Sequence, residues 1–349
     1  MKNRLLGMDM DELREVALGA SLHKFAAGQI ARWLYVKKVR SIDEMTDISK
    51  EGRARLSEKY EVGVTGWTGC QTSSDGTKKY LFPVDAQFAG GARSERGAVE
   101  AVMIPDKDRA TLCVSSQSGC RMGCRFCMTG RQGFHGNLSA ADIISQFIAV
   151  DESDALTNAV FMGMGEPLDN YDNVMRAIEI LTAPWGFAWS PKRITLSTIG
   201  DLPFLRRFLD ESRCHLAVSL HNPFSDERLS LMPAEKAWPI KDVVGLVRRY
   251  DFTGQRRVSF EYTMFSGFND TIRHADALIR LLSGLECRVN LIRFHKIPDF
   301  PYGTSPDLIM ENFRDRLSRA GITATIRASR GEDILAACGM LAGQHQERK

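Results

Sequence analysis

The chain lacks any run approaching the roughly 18 uninterrupted apolar residues of a membrane span, which excludes a transmembrane helix on hydropathy grounds. Its opening residues, MKNRLLGMDMDELRE, contain no apolar core of the kind a secretory signal needs, so the expected setting is the cytoplasm, with no membrane partner. Net charge is scarce: 46 basic against 43 acidic side chains leave +3, too little by itself to require a polyanionic partner. Short-period repeats and low-complexity tracts are absent, which removes solenoids and disordered linkers. A second C-x2-C or an H-x3-H pair is absent too, so a structural zinc site has no donors to complete it. Eight cysteines in a reducing compartment then read as metal ligands, catalytic thiols and core fillers rather than a disulfide framework.

Three of those cysteines, Cys120, Cys124 and Cys127, are concentrated in the run GCRMGCRFC. Gaps of three and two residues bring three thiolates onto one short loop, where they can hold three irons of a cubane cluster and leave the fourth without a protein ligand. A ferredoxin-type electron carrier would add a fourth cysteine soon afterwards, whereas the next is Cys214. A lone cysteine is ordinarily a small buried apolar residue. Three thiols so close together would be a redox liability without a metal. Phe126 fits the aromatic position of the radical S-adenosylmethionine (SAM) signature C-x3-C-x-aromatic-C, which implies a 4Fe-4S cluster with SAM on the open iron.

From Asp9 to about Tyr60 apolar residues recur at helix spacing, which predicts a small helical domain over 1–62. Within it Lys24, Arg32, Lys37, Lys38 and Arg40 are interleaved with Phe25, Trp33 and Tyr35, a mixture that suits phosphate contact and base stacking as well as a solvated helical face. Residues 63–105 break into short strand-like pieces around the Gly/Arg-rich AGGARSERG, expected to be a mobile loop in a connecting segment. From 106 to 343 seven apolar strand-like runs, TLCVSS, NAVFMG, RITLST, CHLAVSL, RVSFEYTMF, CRVNLIRF and TATIRAS, alternate with amphipathic helix patterns. That repetition predicts an α/β domain with a parallel sheet covered by helices. Six or so units are too few for a closed eight-stranded barrel, so the expected fold is an open partial (β/α)6 barrel with chemistry at the C-terminal ends of its strands.

The informative residues fall at those ends. MGMGEP supplies Gly163, Gly165 and Glu166: glycines that let a ligand approach the backbone, and a carboxylate that can accept a hydrogen bond from an ammonium group. A plain turn would explain the glycines equally well. Ser197 in TLSTIG and Ser219, Leu220 and His221 in VSLH place hydroxyl and imidazole groups at later strand ends.

Taken together, RATLCVSSQSGCRMGCRFCMTG, MGMGEP, ITLSTIG, VSLH and RGEDILAACGMLAG resemble the radical-SAM RNA adenine methyltransferases, the RlmN/Cfr family, over roughly Glu100 to Gly343. What makes the likeness specific is a cysteine seven residues before the triplet, Cys113, and another in DI-x-AACG, Cys338. The resemblance implies that Cys338 takes a methyl group from one SAM, because a thiolate is a strong nucleophile and the C2 and C8 carbons of adenine are not. It implies further that a 5'-deoxyadenosyl radical from a second SAM activates that methyl for addition to the base. Glu100 would accept the ring proton, and Cys113 would release the product through a transient disulfide. SAM contacts carried over are Gly165, Glu166, Ser197, Ser219, Leu220 and His221. His295 in NLIRFH, standing where the family has asparagine, can still hydrogen-bond the SAM ribose or adenine. Cys70, Cys214 and Cys287 match no family position and read as structural.

By the same resemblance the substrates are an adenosine in the peptidyl transferase centre of 23S rRNA and the adenosine 3' of the tRNA anticodon. The base is methylated at C2 after leaving its stack. The implied electron donor is a flavodoxin and the expected state a monomer. The C8-methylating branch shares every catalytic residue named. A radical-SAM enzyme acting on a non-RNA substrate and a non-catalytic RNA-binding iron-sulfur protein remain competing readings from other classes.

Overall fold

The computed structural model describes residues 2–84, 97–254 and 256–343; most of the Gly/Arg-rich run lies outside the described residues. Strand β1 (Asn3–Arg4) opens an N-terminal module of three helices, α1 (Met10–Gly19), α2 (Ala26–Ala31) and α3 (Lys50–Lys59), closed by β2 (Tyr60–Glu61) pairing parallel to β1. Helix α1 starts where Asp9 and Glu12 form a reciprocal capping box. After α2 the chain passes through a π-helical turn, Arg32–Val36, which turns Trp33 and Tyr35 into the module core.

That burial corrects the reading of this segment as one open surface. Of the three aromatics only Phe25 is exposed, and Lys37 lies 3.3 Å from the Trp33 ring centroid. Lys38 Nζ reaches Asp154 at 2.7 Å and Arg40 Nη2 donates to the Ile148 carbonyl at 3.1 Å. Together with Arg4 on Asp142 (2.5 Å) and Arg176 on Asp9 (2.7 Å), these contacts dock the module onto the next domain.

Strands β3 (Gly69–Thr72), β4 (Lys78–Val84) and β5 (Gly97–Asp106) are antiparallel to one another and, through β5, to β6 (Arg109–Cys113). The segment expected to connect two domains therefore extends the main sheet. After β6 come the hairpin β7 (Gln117–Gly119) and β8 (Phe134–Asn137) with the short helix α4 (Met128–Arg131) between them, then α5 (Ala140–Ala149). The chain continues through β9 (Asn158–Phe161), α6 (Tyr171–Thr182), β10 (Ile194–Thr198), α7 (Leu202–Glu211), β11 (His215–Ser219), α8 (Ser225–Leu231) and α9 (Ile240–Val247). It ends with β12 (Val258–Met264), α10 (Ile272–Leu282), β13 (Arg288–Arg293), α11 (Asp307–Arg319) and β14 (Thr323–Ile326).

The ten-stranded sheet runs in the order β14-β13-β12-β11-β10-β9-β6-β5-β4-β3. From β6 to β14 every neighbouring pair is parallel, so six crossovers carry the chain along the sheet, and β3 and β14 are its unpaired edges. This is the open partial barrel the alternating pattern predicts. Its core holds Leu112, Phe161, Leu196, Leu216, Phe260 and Leu291 from successive strands, under helices such as α5, whose Ile143, Ile144 and Phe147 are buried. A second apolar cluster, with Met122, Phe126, Leu231, Phe265, Phe294 and Phe300, gathers under the cysteine loop. Among the described residues no helix is long and apolar enough to cross a membrane.

Candidate active site

The cysteine loop begins at a backbone constraint. Gly119 has φ +70°, and a Cβ there would lie 2.0 Å from the Gly133 carbonyl oxygen, so only glycine lets β7 and β8 close at this point. Cys120 N then donates to that carbonyl at 2.8 Å, Arg125 N to Leu231 O at 2.9 Å and Met128 N to Gly339 O at 2.8 Å. Phe126, chosen in sequence as the signature aromatic, sits edge-on to His221 at 4.9 Å and against Phe265 at 5.3 Å. It is the apolar peg of the loop.

Burial raises the proton affinity of all three thiols. Cys120 is pushed up to about 12, with a backbone N–H from Met122 opposing and the carboxylates of Glu166 and Asp169 adding to the rise. Cys124 is pushed well above its ordinary value by burial and then by its neighbours Cys127 and Cys120. Cys127 is raised by burial, against N–H donors from Gly130 and Thr129 and the Thr129 hydroxyl. Three crowded thiols of this kind ionise only onto a cation, which is what an iron cluster supplies. No three His, Cys, Asp or Glu side chains among the described residues converge as a lone metal ion requires. A cubane places each thiolate on its own iron, so it needs proximity without convergence, and N–H groups aimed at sulfur are a normal part of such sites. The loop fits a cluster better than zinc.

The strand ends face this loop. Where Gly163 lacks a Cβ, the Val114 carbonyl and Ser115 Oγ lie 2.7 Å away; at Gly165, φ +101°, Gln117 Cβ lies 2.5 Å away. On the side where a Cβ would stand both glycines are packed against the chain, which lets the end of β9 close on residues 114–117. Glu166 is buried, accepting from Leu168 N (3.1 Å) and Ile199 N (2.9 Å), and burial pushes its carboxyl up to about 7. A carboxylate has about four lone-pair sites; these donors and the Thr198 hydroxyl leave room for one more. Ser197 and Ser219 are half-buried on adjacent strands, and their hydroxyls make no hydrogen bond to another described residue. Leu220 is buried behind them.

His221 occupies the left-handed region at φ 54° and accepts from Thr263 N through Nδ1 at 3.0 Å. Burial, helped by the charge of Arg228, drops its imidazole to about 3, so the ring is neutral with its proton on Nε2. His295 donates or accepts at Ser329 Oγ (3.0 Å) through Nε2 and meets Glu332 (3.2 Å) through Nδ1. Both nitrogens therefore engage the segment leading to Cys338.

That segment crosses the mouth of the barrel. Leu341 O accepts from Thr129 Oγ1 at 2.7 Å, and Ala342 O from Gln132 Nε2 at 2.6 Å. Ala342 N and Gly343 N donate to Glu100 Oε2 at 2.7 and 3.2 Å, while Glu100 Oε1 pairs with the buried Lys79 at 3.1 Å. Cys338 is exposed to solvent inside the mouth yet ringed by protein; the ringing raises its thiol, Arg327 lowers it, and Glu261 and Cys127 raise it again. Cys113, at the end of β6, is buried and pushed up to about 12 by that burial and by the charge of Cys338. All eight cysteines are free.

Sequence reasoning missed Lys79, Arg327 and Arg228. Arg228 is fully buried, donating to Leu220 O (2.9 Å), Ser219 O (2.9 Å) and Ile199 O (3.3 Å) and pairing with Glu235, so it stitches the ends of β10 and β11 beside Cys124. Its signal was its spacing: four residues after Phe224 and three before Leu231, on the inward face of α8.

An open parallel barrel with three thiols on a loop beyond its first parallel strand and a buried Gly-Glu-Pro strand end defines a radical SAM enzyme. A family model described as the radical SAM superfamily matches residues 114–280, and one described as the ribosomal RNA large subunit methyltransferase N-terminal domain matches residues 3–62. A probable dual-specificity RNA methyltransferase RlmN of Porphyromonas gingivalis is 57% identical over 343 residues, 98% of each chain. The dual-specificity RNA methyltransferase RlmN of Syntrophus aciditrophicus is 39% identical, covering 98% of this chain and 97% of its own. The crystal structure of a radical SAM methyltransferase from Sphaerobacter thermophilus matches with TM-score 0.89 at 37% identity, covering 98% of this chain and all of that one. The chain belongs to the RlmN family of radical SAM RNA methyltransferases.

Proposed function

We propose that this protein methylates C2 of an adenosine in 23S rRNA, and of the adenosine 3' of the tRNA anticodon, through a methylated Cys338. The observation that supports this reading is the placement of Cys338: Met128 N donates to Gly339 O at 2.8 Å, which holds the residue after Cys127 against the residue after Cys338, and the charge of Cys338 adds to the raised proton affinity of Cys113. When bound, a 4Fe-4S cluster on Cys120, Cys124 and Cys127 with SAM supplies the methyl group and the radical that lets it reach an unreactive ring carbon. The chain's own residues do the rest. Arg327 favours the Cys338 thiolate that takes up the methyl group. Glu100 accepts the ring proton once it has let go of Ala342 and Gly343. Cys113, as its thiolate, attacks the Cys338 sulfur: the S–S bond forms as the bond from sulfur to the methylene on the base breaks, the departing electron pair takes up a proton to complete the methyl group, and a thiol reductant returns the disulfide to two thiols for the next turnover. Gly165, Glu166, Ser197, Ser219, Leu220 and His221 line the strand ends on the SAM side, and His295 contacts SAM only if it releases Ser329 or Glu332. The protein acts in the cytoplasm as a monomer with a flavodoxin as reductant, and residues 1–62 form the accessory RNA-binding domain.

The test is anaerobic reconstitution with SAM, reductant and an rRNA fragment. The expected yields are 2-methyladenosine, 5'-deoxyadenosine and S-adenosylhomocysteine together, with none from Cys338→Ala and a protein–RNA adduct from Cys113→Ala. 8-Methyladenosine as the main product would overturn the assignment to C2, and full turnover by Cys338→Ala would overturn the methyl-cysteine route.

A further inference from the structure

The barrel mouth opposite the cysteines carries a charge pattern that the proposed reaction leaves unused. Strands β10 to β13 lie side by side, and a cation stands at the start of each: Lys192 and Arg193 directly before β10, Arg213 two residues before β11, Arg257 directly before β12, and Arg288 as the first residue of β13. The parallel register keeps these starts level, with Thr195 opposite His215, Leu216 opposite Val258 and Ser259 opposite Arg288. At a strand spacing of about 4.8 Å the row spans roughly 14 Å. All five side chains are exposed and none is in an ion pair with another described residue. Their field reaches His215 within the row, whose proton affinity is lowered by burial and then by Arg257, Arg256, Lys192 and Arg288.

Beside the row lies a cavity of about 370 Å³, lined in part by Ser190, Lys192, Arg213, Tyr250, Asp251 and Arg256. Arg256 is committed to the chain, donating to the carbonyls of Cys214 (3.1 Å), Leu209 (2.8 Å) and Phe208 (3.4 Å). Lys192 and Arg213 are not. Asp251, the carboxylate in the lining, is turned to its own loop, accepting from Thr253 N (2.8 Å) and Oγ1 (2.6 Å). The connection that precedes β10 also abuts the N-terminal module: Trp185 packs on Tyr35 at 5.7 Å and the Phe187 ring lies 5.6 Å from Lys38 Nζ.

We infer that this mouth is a second RNA-contact surface, where Lys192, Arg213, Arg257 and Arg288 neutralise phosphates of the RNA backbone and the cavity receives one of them, while the target base enters the opposite mouth. The inference rests on RNA being the substrate. Strands β10 to β13, of five to seven residues, make this part of the barrel only about 17–23 Å tall, so a folded RNA that follows the module reaches both mouths. Exposed cations in a row, free of ion pairs with other described residues, suit contact with the phosphate backbone that is indifferent to sequence.

The test compares the full-length protein with a Lys192→Ala, Arg213→Ala, Arg257→Ala, Arg288→Ala variant in binding an rRNA fragment across a range of salt. Affinity at low salt is expected to fall roughly tenfold or more, and the slope of log affinity against log salt to shrink by about 2 to 4, equally for unrelated RNA sequences. Methylation of Cys338 by SAM without RNA should proceed at the parent rate, which shows that the variant is folded. An unchanged slope overturns the inference. So does a variant that binds RNA normally but is reduced more slowly by a flavodoxin, because the surface then serves an acidic electron donor. If the parent protein itself shows no salt-dependent RNA binding, the RNA reading fails with it; parent binding with an unaltered variant sinks the second surface alone.

Discussion

The two cysteine-bearing segments at the upper mouth are held in opposite ways. The triplet loop is pinned by a turn at 119 that only glycine can make, by Phe126 against His221 and Phe265, and by its own apolar cluster. The Cys338 segment has a few apolar anchors, such as Ile334 and Leu341, and otherwise hangs on scattered hydrogen bonds, among them those to Glu100, Thr129, Gln132, Met128, Ser73, Asp75 and His295. Such bonds exchange with water for about 0.5–1.5 kcal/mol each, whereas interdigitated packing has no partial state to move to. The difference matches the proposed tasks, since a cluster needs a fixed cage while Cys338 must meet a methyl donor, a base and Cys113 in turn.

The largest effect that would separate the two is expected on the rigid side. Arg228→Met leaves Glu235 buried without its cation, and one oxygen of Glu235 already lacks a partner. Removing one member of such a pair costs about 3–5 kcal/mol, read in denaturant unfolding of the cluster-free protein, with amide exchange of residues 339–343 unaltered. Combining it with Glu235→Leu should recover most of the loss. A loss under about 1 kcal/mol from the single change would mean that the pair does not hold the loop.

Lys79→Met applies the same logic to the mobile side. It strands the Glu100 carboxylate, for roughly 3 kcal/mol, and the cost should appear as faster amide exchange at Ala342 and Gly343, whose N–H groups Glu100 accepts. Methylation of Cys338, which removes no proton from the adenine ring, should survive while product formation falls. Unaltered exchange in 339–343 would remove Glu100 as the clasp of this segment.

Acidification offers a finer probe of the rigid side. Glu166, raised to about 7 from 4.5, holds a proton in the folded chain that the unfolded chain releases, so its contribution is full below pH 4.5 and is lost as pH rises to 7. His221, lowered to about 3 from 6.5, contributes fully above pH 6.5 and loses that contribution as pH falls. Between about pH 4.5 and 6.5 the two slopes oppose, each up to about 1.4 kcal/mol per unit, and nearly cancel. Glu166→Gln should therefore lose between about 2 and 3 kcal/mol of stability across that window relative to its own value at pH 6.5, and His221→Asn should gain. Parallel pH profiles for the parent and both variants would show that the two groups do not titrate as their burial implies.

Much of this contrast was visible in the amino-acid pattern, and the missing part has a common physical origin. Alternating apolar runs gave the parallel strands, and cysteine spacing gave the loop, because period and spacing are local properties. The antiparallel β3–β5 extension, the β7–β8 hairpin and the close packing at Gly163 and Gly165 depend on which strand lies beside which, and that is settled by tertiary packing. Burial of charge was the hardest to see: Lys79 stands in a strand and Arg228 in a helix as any solvated residue would, and only their partners Glu100 and Glu235, 21 and 7 positions away, make them interior. The N-terminal module differs in the other direction, since Trp33 and Tyr35 suit either base stacking or a solvated helical face in sequence and instead form its core.

The smallest expected effect lies at His295, where the family resemblance implies an asparagine. Its two ring nitrogens reach Ser329 and Glu332, while an asparagine side chain is shorter and can span at most one of them. His295→Asn should thus cost about 1 kcal/mol or less, within the value of one hydrogen bond. It should also quicken alkylation of Cys338 by iodoacetamide two- to threefold as the segment opens more often. Alkylation of Cys113, walled in at the end of β6, should stay slow in both proteins. A histidine that instead faces SAM would give the reverse pattern: unaltered Cys338 reactivity without SAM, and a change only in how strongly SAM protects it.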